Sequence, residues 1–206
     1  MSLFLIESVP PRSHGRDEVR QALDRIAEEA RVAGGDLLEV QVAEDLSKVY
    51  AIVEAGDPEA AKQAFRAGGL PVSLIKQVRL VGQDVEAARR SRGRVDYVVE
   101  WNFPPGLTME AYLQRKQASA PKYAEVPEVR FLRTYVCEDM TKCICFYDAD
   151  QLAAVLRARQ VVGAPVDAVT RVVPAGEEDT PAGSAAGSAG GSAAGRGPGS
   201  AVGEGR

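Results

Sequence analysis

The stretch "LLEVQVAEDLSKVYAIVEA" (residues 37–55) lies over "FLRTYVCEDMTKCICFYDA" (131–149), and this overlay decides how the chain is read. Glu44-Asp45 falls on Glu138-Asp139, Lys48 on Lys142, and Glu54-Ala55 on Asp148-Ala149. In both, two runs of strand-forming residues flank an acidic turn, the pattern of a β-hairpin. Working outward, "LFLIESVPPRSHGRDEVRQAL" from Leu3 lies over "DYVVEWNFPPGLTMEAYLQRK" from Asp96. Each is an apolar strand closing on a glutamate (Glu7, Glu100), then a Pro-Pro break, then a helical pattern. "GGLPVSLIKQVRLV" (68–81) lies over "VGAPVDAVTRVVP" (162–174), and the offset stays at 93 or 94 residues throughout. A constant offset predicts two related copies in one chain.

Each copy reads as β-α-β-β-α-β. The first helix starts near Asp17 in one copy and at Thr108 in the other, and the second starts at Asp57-Pro58 and near Asp150. This order predicts an α+β chain of two tandem ferredoxin-like (split βαβ) plaits, each a four-stranded antiparallel sheet with two helices on one face. In "FLRTYVC" apolar residues occupy both parities: Phe131, Tyr135 and Cys137 on one, Leu132 and Val136 on the other. Both sheet faces are then partly apolar, which predicts a sheet-to-sheet, pseudo-two-fold pairing of the copies, with a cavity between the sheets or within each plait. The expected organisation is 1–82 for the first, divergent copy, 83–95 for a charged linker, 96–174 for the second copy and 175–206 for a disordered Gly/Ala/Ser-rich tail.

The 206 residues are 45% hydrophobic and carry a net charge of −4, which argues against a nucleic-acid partner. Arg89, Arg90, Arg92 and Arg94 in the linker lack aromatic companions and read as a solvated run. No apolar run is long enough for a membrane span, and "MSLFLIESVPPRSHGRDE" does not read as a secretory signal. Three cysteines, an odd number clustered between 137 and 145, do not read as a disulfide framework. The expectation is a cytoplasmic protein with reduced thiols and no membrane partner.

Candidate chemistry is sparse. Glu7 and Glu100 end the first strand of each copy; such a carboxylate bonds the loop amides that follow it, or it faces a ligand. With Trp101 and Tyr135 they form the candidate ligand-binding set. "CEDMTKCICFYDAD" (137–150) holds Cys137, Cys143 and Cys145, with Cys137 expected directly across the hairpin from Cys143. That arrangement could hold a soft metal or a disulfide, so Glu100, Cys137, Cys143 and Cys145 are the candidate metal set and a divalent metal the candidate cofactor. The competing reading is a packed hairpin, because Ala43, Val49 and Ala51 occupy the three cysteine positions in the first copy. The one histidine, His14, sits in a loop and reads as solvated, which argues against a Ser-His or Cys-His hydrolase.

The residues "YVVEWNFPPGLTMEAY", "YVCEDMTKCICFYDAD" and "VGAPVDAVTRV" resemble the nickel-binding, ferredoxin-like domain of unknown function, a small bacterial family. The resemblance covers about 96–173 and implies a plait fold that pairs as homodimers, which a tandem would mimic within one chain. It also implies metal coordination by imidazoles and carboxylates; of those, Glu100, the Glu138-Asp139 turn and Asp148 are present. Three functions remain open: a non-catalytic protein that binds or senses a metal or small ligand, a protein-interaction module, and a cofactor-free enzyme of the paired-plait type. The first leads. In the last, a cyclase, isomerase or monooxygenase, Trp101, Tyr135 and Tyr147 would line the pocket and Glu100 would act as acid or base.

Overall fold

The computed structural model describes residues 1–82, 84–90 and 94–174. Its elements run β1 (Ser2–Ser8), α1 (Arg16–Val32), β2 (Asp36–Ala43), β3 (Val49–Ala55), α2 (Pro58–Gly68), β4 (Leu74–Val81), α3 (Val85–Arg90), β5 (Tyr97–Asn102), α4 (Met109–Ser119), a 3-10 turn (Ala120–Glu125), β6 (Arg130–Cys137), β7 (Lys142–Asp148), α5 (Leu152–Val161) and β8 (Ala168–Pro174). Local chemistry sets these boundaries. Asp57 Oδ1 accepts the Ala60 amide at 2.9 Å with Pro58 in the first turn of α2, and Thr108 Oγ1 accepts the Ala111 amide at 3.2 Å at the start of α4. Gly15 caps α1 in place of the expected Asp17, and the Glu18 carboxylate accepts its amide. Both hairpin turns use the same device. Asp45 Oδ1 accepts from the Ser47 amide and hydroxyl, Asp139 Oδ1 does so from Thr141, and the residue between, Leu46 or Met140, takes a positive φ of 60° or 53°.

The two open plaits expected from the sequence do not form. The strands close into one eight-stranded antiparallel barrel in the order β1-β3-β2-β8-β5-β7-β6-β4. Closure runs through two pairings between the halves, β4 with β6 (Val78↔Cys137 to Val81↔Thr134) and β2 with β8 (Gln41↔Pro174 to Ala43↔Val172). An open sheet of four strands has two edges, each a row of unpaired backbone amides and carbonyls. Joining the halves edge to edge satisfies all four. Face-to-face stacking would have left them exposed.

The apolar pattern on both parities has a different cause from the expected sheet stacking. Along each strand one parity points into the barrel, where Leu5, Tyr50, Ile52, Val98, Tyr135 and Phe146 pack. The other parity lies under the helices: Phe4, Ile6, Ala51 and Val53 with α1 and α2, and Val99, Cys143, Cys145 and Tyr147 with α4 and α5. The expected intersheet cavity is thus the barrel interior, and these side chains fill it. Parity also breaks within β2 and β6, where bulges at Leu37/Glu39 and Phe131/Arg133 insert one residue. After the β6 bulge Phe131 faces the helices while Tyr135 and Cys137 face inward, so the three do not share a face.

Of the expected linker, residues 85–90 form α3, and Arg94 pairs with Asp96 at 2.5 Å. The rest of its basic run and the expected tail, 175–206, lie outside the described residues. No described helix is long and apolar enough to cross a membrane.

Candidate functional site

The two strand glutamates meet inside the barrel. β1 carries Glu7 and β5 carries Glu100, while Lys48 and Lys142 follow the two hairpin turns. Lys48 Nζ lies 2.7 Å from Glu7 and 2.8 Å from Glu100; Lys142 Nζ lies 2.6 Å from Glu7 and also bonds Glu100. Two carboxylates and two ammonium groups thus form a closed, charge-balanced square, joined by Tyr50, whose hydroxyl donates to Glu100 at 2.6 Å. Burial alone would raise the Glu100 pKa, but donors from Lys142, Lys48 and Tyr50 outweigh it and hold the carboxyl at about 2. The partners are lysines from both halves, not the loop amides expected from the sequence. Three donors, two on Oε1 and one on Oε2, take up most of the acceptor capacity of Glu100.

Tyr135 is committed as well. Its hydroxyl donates to Glu39 at 2.8 Å, and Glu39 is held by the Arg133 guanidinium through two bonds. Cys137 lies nearby in the apolar interior, where burial and Asp139 push its thiol up to about 11. Cys137 pairs across the strands with Val78, and the residue opposite Cys143 is Val136. The candidate metal set is therefore divided by the sheet, with Glu100 and Cys137 inside and Cys143 and Cys145 beneath the helices. No group of three or more His, Cys, Asp or Glu positioned for a metal occurs among the described residues.

The helix side of the C-terminal half holds a different constellation. Cys143 and Cys145, two apart on β7, place their sulfurs 3.9 Å apart. Cys145 Sγ accepts from Thr134 Oγ1 at 3.1 Å and from Arg159 Nη1 at 3.4 Å, and Lys116 Nζ donates to the same threonine at 3.3 Å. The bond from Cys143 lowers the Cys145 pKa against the opposing effect of burial, and the charges of Arg159 and Lys116 lower it further. Burial and the neighbouring sulfur raise Cys143. Of the two, Cys145 is the more acidic, with Arg159 and Lys116 favouring its anionic form.

A part-open cavity of about 40 Å³ adjoins this sulfur, lined among others by Trp101, Tyr112, Lys116, Tyr123, Cys145 and Arg159. That is room for a few atoms. Arg115 lies over the Trp101 ring at 5.2 Å and adds a third cation to the wall. The Arg159 side chain is bonded to Cys145, Tyr147 and the Pro165 carbonyl, yet its Nε has no partner and no described carboxylate pairs with it. This guanidinium, 3% exposed, has the Cys145 sulfur as its neighbour in place of a carboxylate, and Lys116 and Arg115 add positive charge that no described carboxylate in the cavity wall balances.

The N-terminal half provides the comparison. Counted from the helix N-caps, Lys116 on α4 holds the place of Leu23 on α1, and Arg159 on α5 that of Phe65 on α2. Leu23 and Phe65 are buried apolar residues. Of the ligand residues expected from sequence, only Trp101 lines this cavity; Tyr112, Lys116, Tyr123 and Arg159 were missed. The available signal was a basic residue at the buried phase of a helix in one half, where the other half carries leucine or phenylalanine.

Residues 97–172, which include every element around the cavity, match the family model described as nickel responsive protein SCO4226-like. No curated protein matches the chain. Among solved structures, a chlorite dismutase candidate, TA0507, superposes with a TM-score of 0.56 at 12% identity over 85% of this chain and 97% of its own. A monooxygenase candidate from Lactobacillus acidophilus NCFM gives 0.48 at 11% identity over 85% and 95%. At such identities only the fold is shared. The chain thus has the barrel fold of the first of these structures, and its C-terminal half carries the match to a nickel-responsive family.

Proposed function

We propose that this chain is a non-catalytic binding protein whose site is the cationic cavity between β7 and the helices α4 and α5, and that it takes a small anion such as a carboxylate or oxyanion. One observation carries the reading: the buried Arg159 guanidinium, with no described carboxylate partner, stands at a cavity also lined by Lys116 and Arg115. An anion of a few heavy atoms would balance the positive charge that Arg115, Lys116 and Arg159 bring to the wall in excess of the one sulfur.

Trp101 is the chain's one tryptophan and lies in the cavity wall, so its fluorescence reports occupancy. Titration with formate, acetate, sulfite and inorganic phosphate is expected to give a saturable change for at least one. Arg159→Gln and Lys116→Gln variants that keep the native circular dichroism are expected to lose it. A flat response to all four, or one unchanged in both variants, overturns the reading.

The family match and the 3.9 Å sulfur separation favour a second reading, a thiophilic metal ion on Cys143 and Cys145. Nickel(II) itself fits these residues poorly. Residues 97–172 contain no histidine, Glu100 is held by two lysines, and two sulfurs leave a coordination shell incomplete. The same titrations run with nickel, zinc and copper(I) separate the readings. A sulfur-to-metal charge-transfer band with copper or nickel, or displacement of either ion by zinc, that is lost in Cys143→Ser/Cys145→Ser supports the metal.

A further inference from the structure

We propose that Cys145 is a peroxide-reactive thiolate, so that the cavity in the C-terminal half is also a site of reversible oxidation. The inference rests on reading that cavity as open to small solutes, and requires no bound anion. Three features of the geometry set Cys145 apart from the other two cysteines. Cys145 lines the cavity, although only 2% exposed, whereas Cys137 is enclosed in the barrel interior and Cys143 is not part of the cavity wall. It accepts bonds from Thr134 and Arg159, both fixed by the sheet and by α5. Two cations, Lys116 and Arg159, stand beside it with no described carboxylate among the cavity-lining residues to neutralise them. Such surroundings hold a sulfur as thiolate, the form that attacks electrophiles.

The step balances as follows. The Cys145 thiolate attacks one oxygen of a hydroperoxide, the S–O bond forms and the O–O bond breaks. Sulfur is oxidised by two electrons to the sulfenic acid and the peroxide is reduced. For hydrogen peroxide the leaving hydroxide takes a proton to become water. Lys116, which lines the cavity and donates to Thr134 beside the sulfur, can supply that proton. Arg159 stabilises the charge as it shifts from sulfur to the departing oxygen. In the N-terminal half the corresponding positions are Ala51, Leu23 and Phe65, and no such chemistry is available there.

The test exposes the full-length protein and a Cys143→Ser variant to hydrogen peroxide with a dimedone-type probe, and quantifies labelled peptides for each cysteine by mass spectrometry. The serine variant removes the thiol that could condense with the sulfenic acid before it is trapped. Cys145 is expected to label at least about tenfold faster than Cys137, and Arg159→Gln to slow it by about tenfold. Arg159→Lys should restore part of the rate, and Arg157→Gln, on the exposed face of α5, should leave it unchanged. Should Arg159→Gln fail to fold, Lys116→Gln and Arg159→Lys carry the comparison. Equal labelling of Cys137 and Cys145, no label on Cys145, or a Cys145 rate indifferent to all three cavity variants overturns the inference. A flat Trp101 anion titration beside fast Cys145 labelling removes the anion reading alone, and the reverse pattern removes this one alone.

Discussion

Glu39 and Arg133 occupy corresponding bulged positions on β2 and β6, across the barrel from each other, and pair through two bonds with side-chain exposures of 9% and 4%. Equivalent places in the two halves thus carry opposite charges, and the pair ties the halves together through the interior. Removing one partner leaves the other buried and unpaired. Arg133→Met is expected to cost about 3 kcal/mol, and the double change Glu39→Leu/Arg133→Met to recover most of it. Urea unfolding midpoints check this; single and double variants of equal stability would contradict it.

The Glu7-Lys48-Glu100-Lys142 square sets a pH window for stability. The Glu100 carboxyl is held at about 2, so its contribution is present above the ordinary carboxylate value and lost as pH falls through about 2. Lys142 moves the other way. Burial would lower its pKa, but the bonds it donates to Glu100 and Glu7 raise it above 10.5. Its contribution is present below 10.5 and lost as pH rises through the higher folded value. The cluster's contribution should therefore be flat from about pH 5 to 10. Lys142→Met removes two bonds to the carboxylates and should move the acid limb of the urea-midpoint profile to higher pH. A profile that keeps its acid limb in place would show that the cluster does not set it.

The close approach of α2 to α1 depends on Gly68. A Cβ there would stand 2.3 Å from Ile26 Cγ1 and 2.8 Å from the Ala22 carbonyl. Gly68→Ala, although it favours helix, is expected to destabilise by about 2 kcal/mol through overpacking. Calorimetry would show a melting point lowered by several degrees; an unchanged or raised one would mean that the helices can separate without loss.

The hairpins, their Asp-centred turns and the helix starts were legible because each is local: Asp57-Pro58, Thr108 and the Glu-Asp turns carry their chemistry within three residues. Closure of the barrel was not. Alternation in β1 or β5 shows two apolar faces, and the same alternation suits two stacked sheets and one barrel. What distinguishes them is the pairing of Val78 with Cys137 and of Val42 with Val173, contacts between residues far apart in sequence. The thiols were misplaced for a related reason. In hairpin counting a single turn residue decides which of Val136 and Cys137 stands across from Cys143, and the bulge at Phe131/Arg133 then breaks parity along β6. Glu7 and Glu100 were read as bonding loop amides or facing a ligand; that their partners are Lys48 and Lys142, one from each half and each bonded to both glutamates, required the barrel. Arg159 and Lys116 were visible only as exceptions to an apolar helix stripe.

Those exceptions can be reversed. Replacing Lys116 with leucine and Arg159 with phenylalanine gives the C-terminal helices the residues that Leu23 and Phe65 supply in the N-terminal half. Exchanging buried charges for apolar side chains of similar volume is often neutral or stabilising, so Lys116→Leu/Arg159→Phe is expected to unfold at an equal or higher urea concentration, by about 1 kcal/mol. Filling the cavity should also abolish the Trp101 response to anions and slow Cys145 oxidation by about tenfold, since the thiolate loses both cations. A protein that maintains a costly cationic layer for binding would show this combination of stability kept and response lost. If the double variant instead unfolds at markedly lower urea, Arg159 and Lys116 are structural supports for the sheet-helix layer, and the cavity is a by-product of their packing.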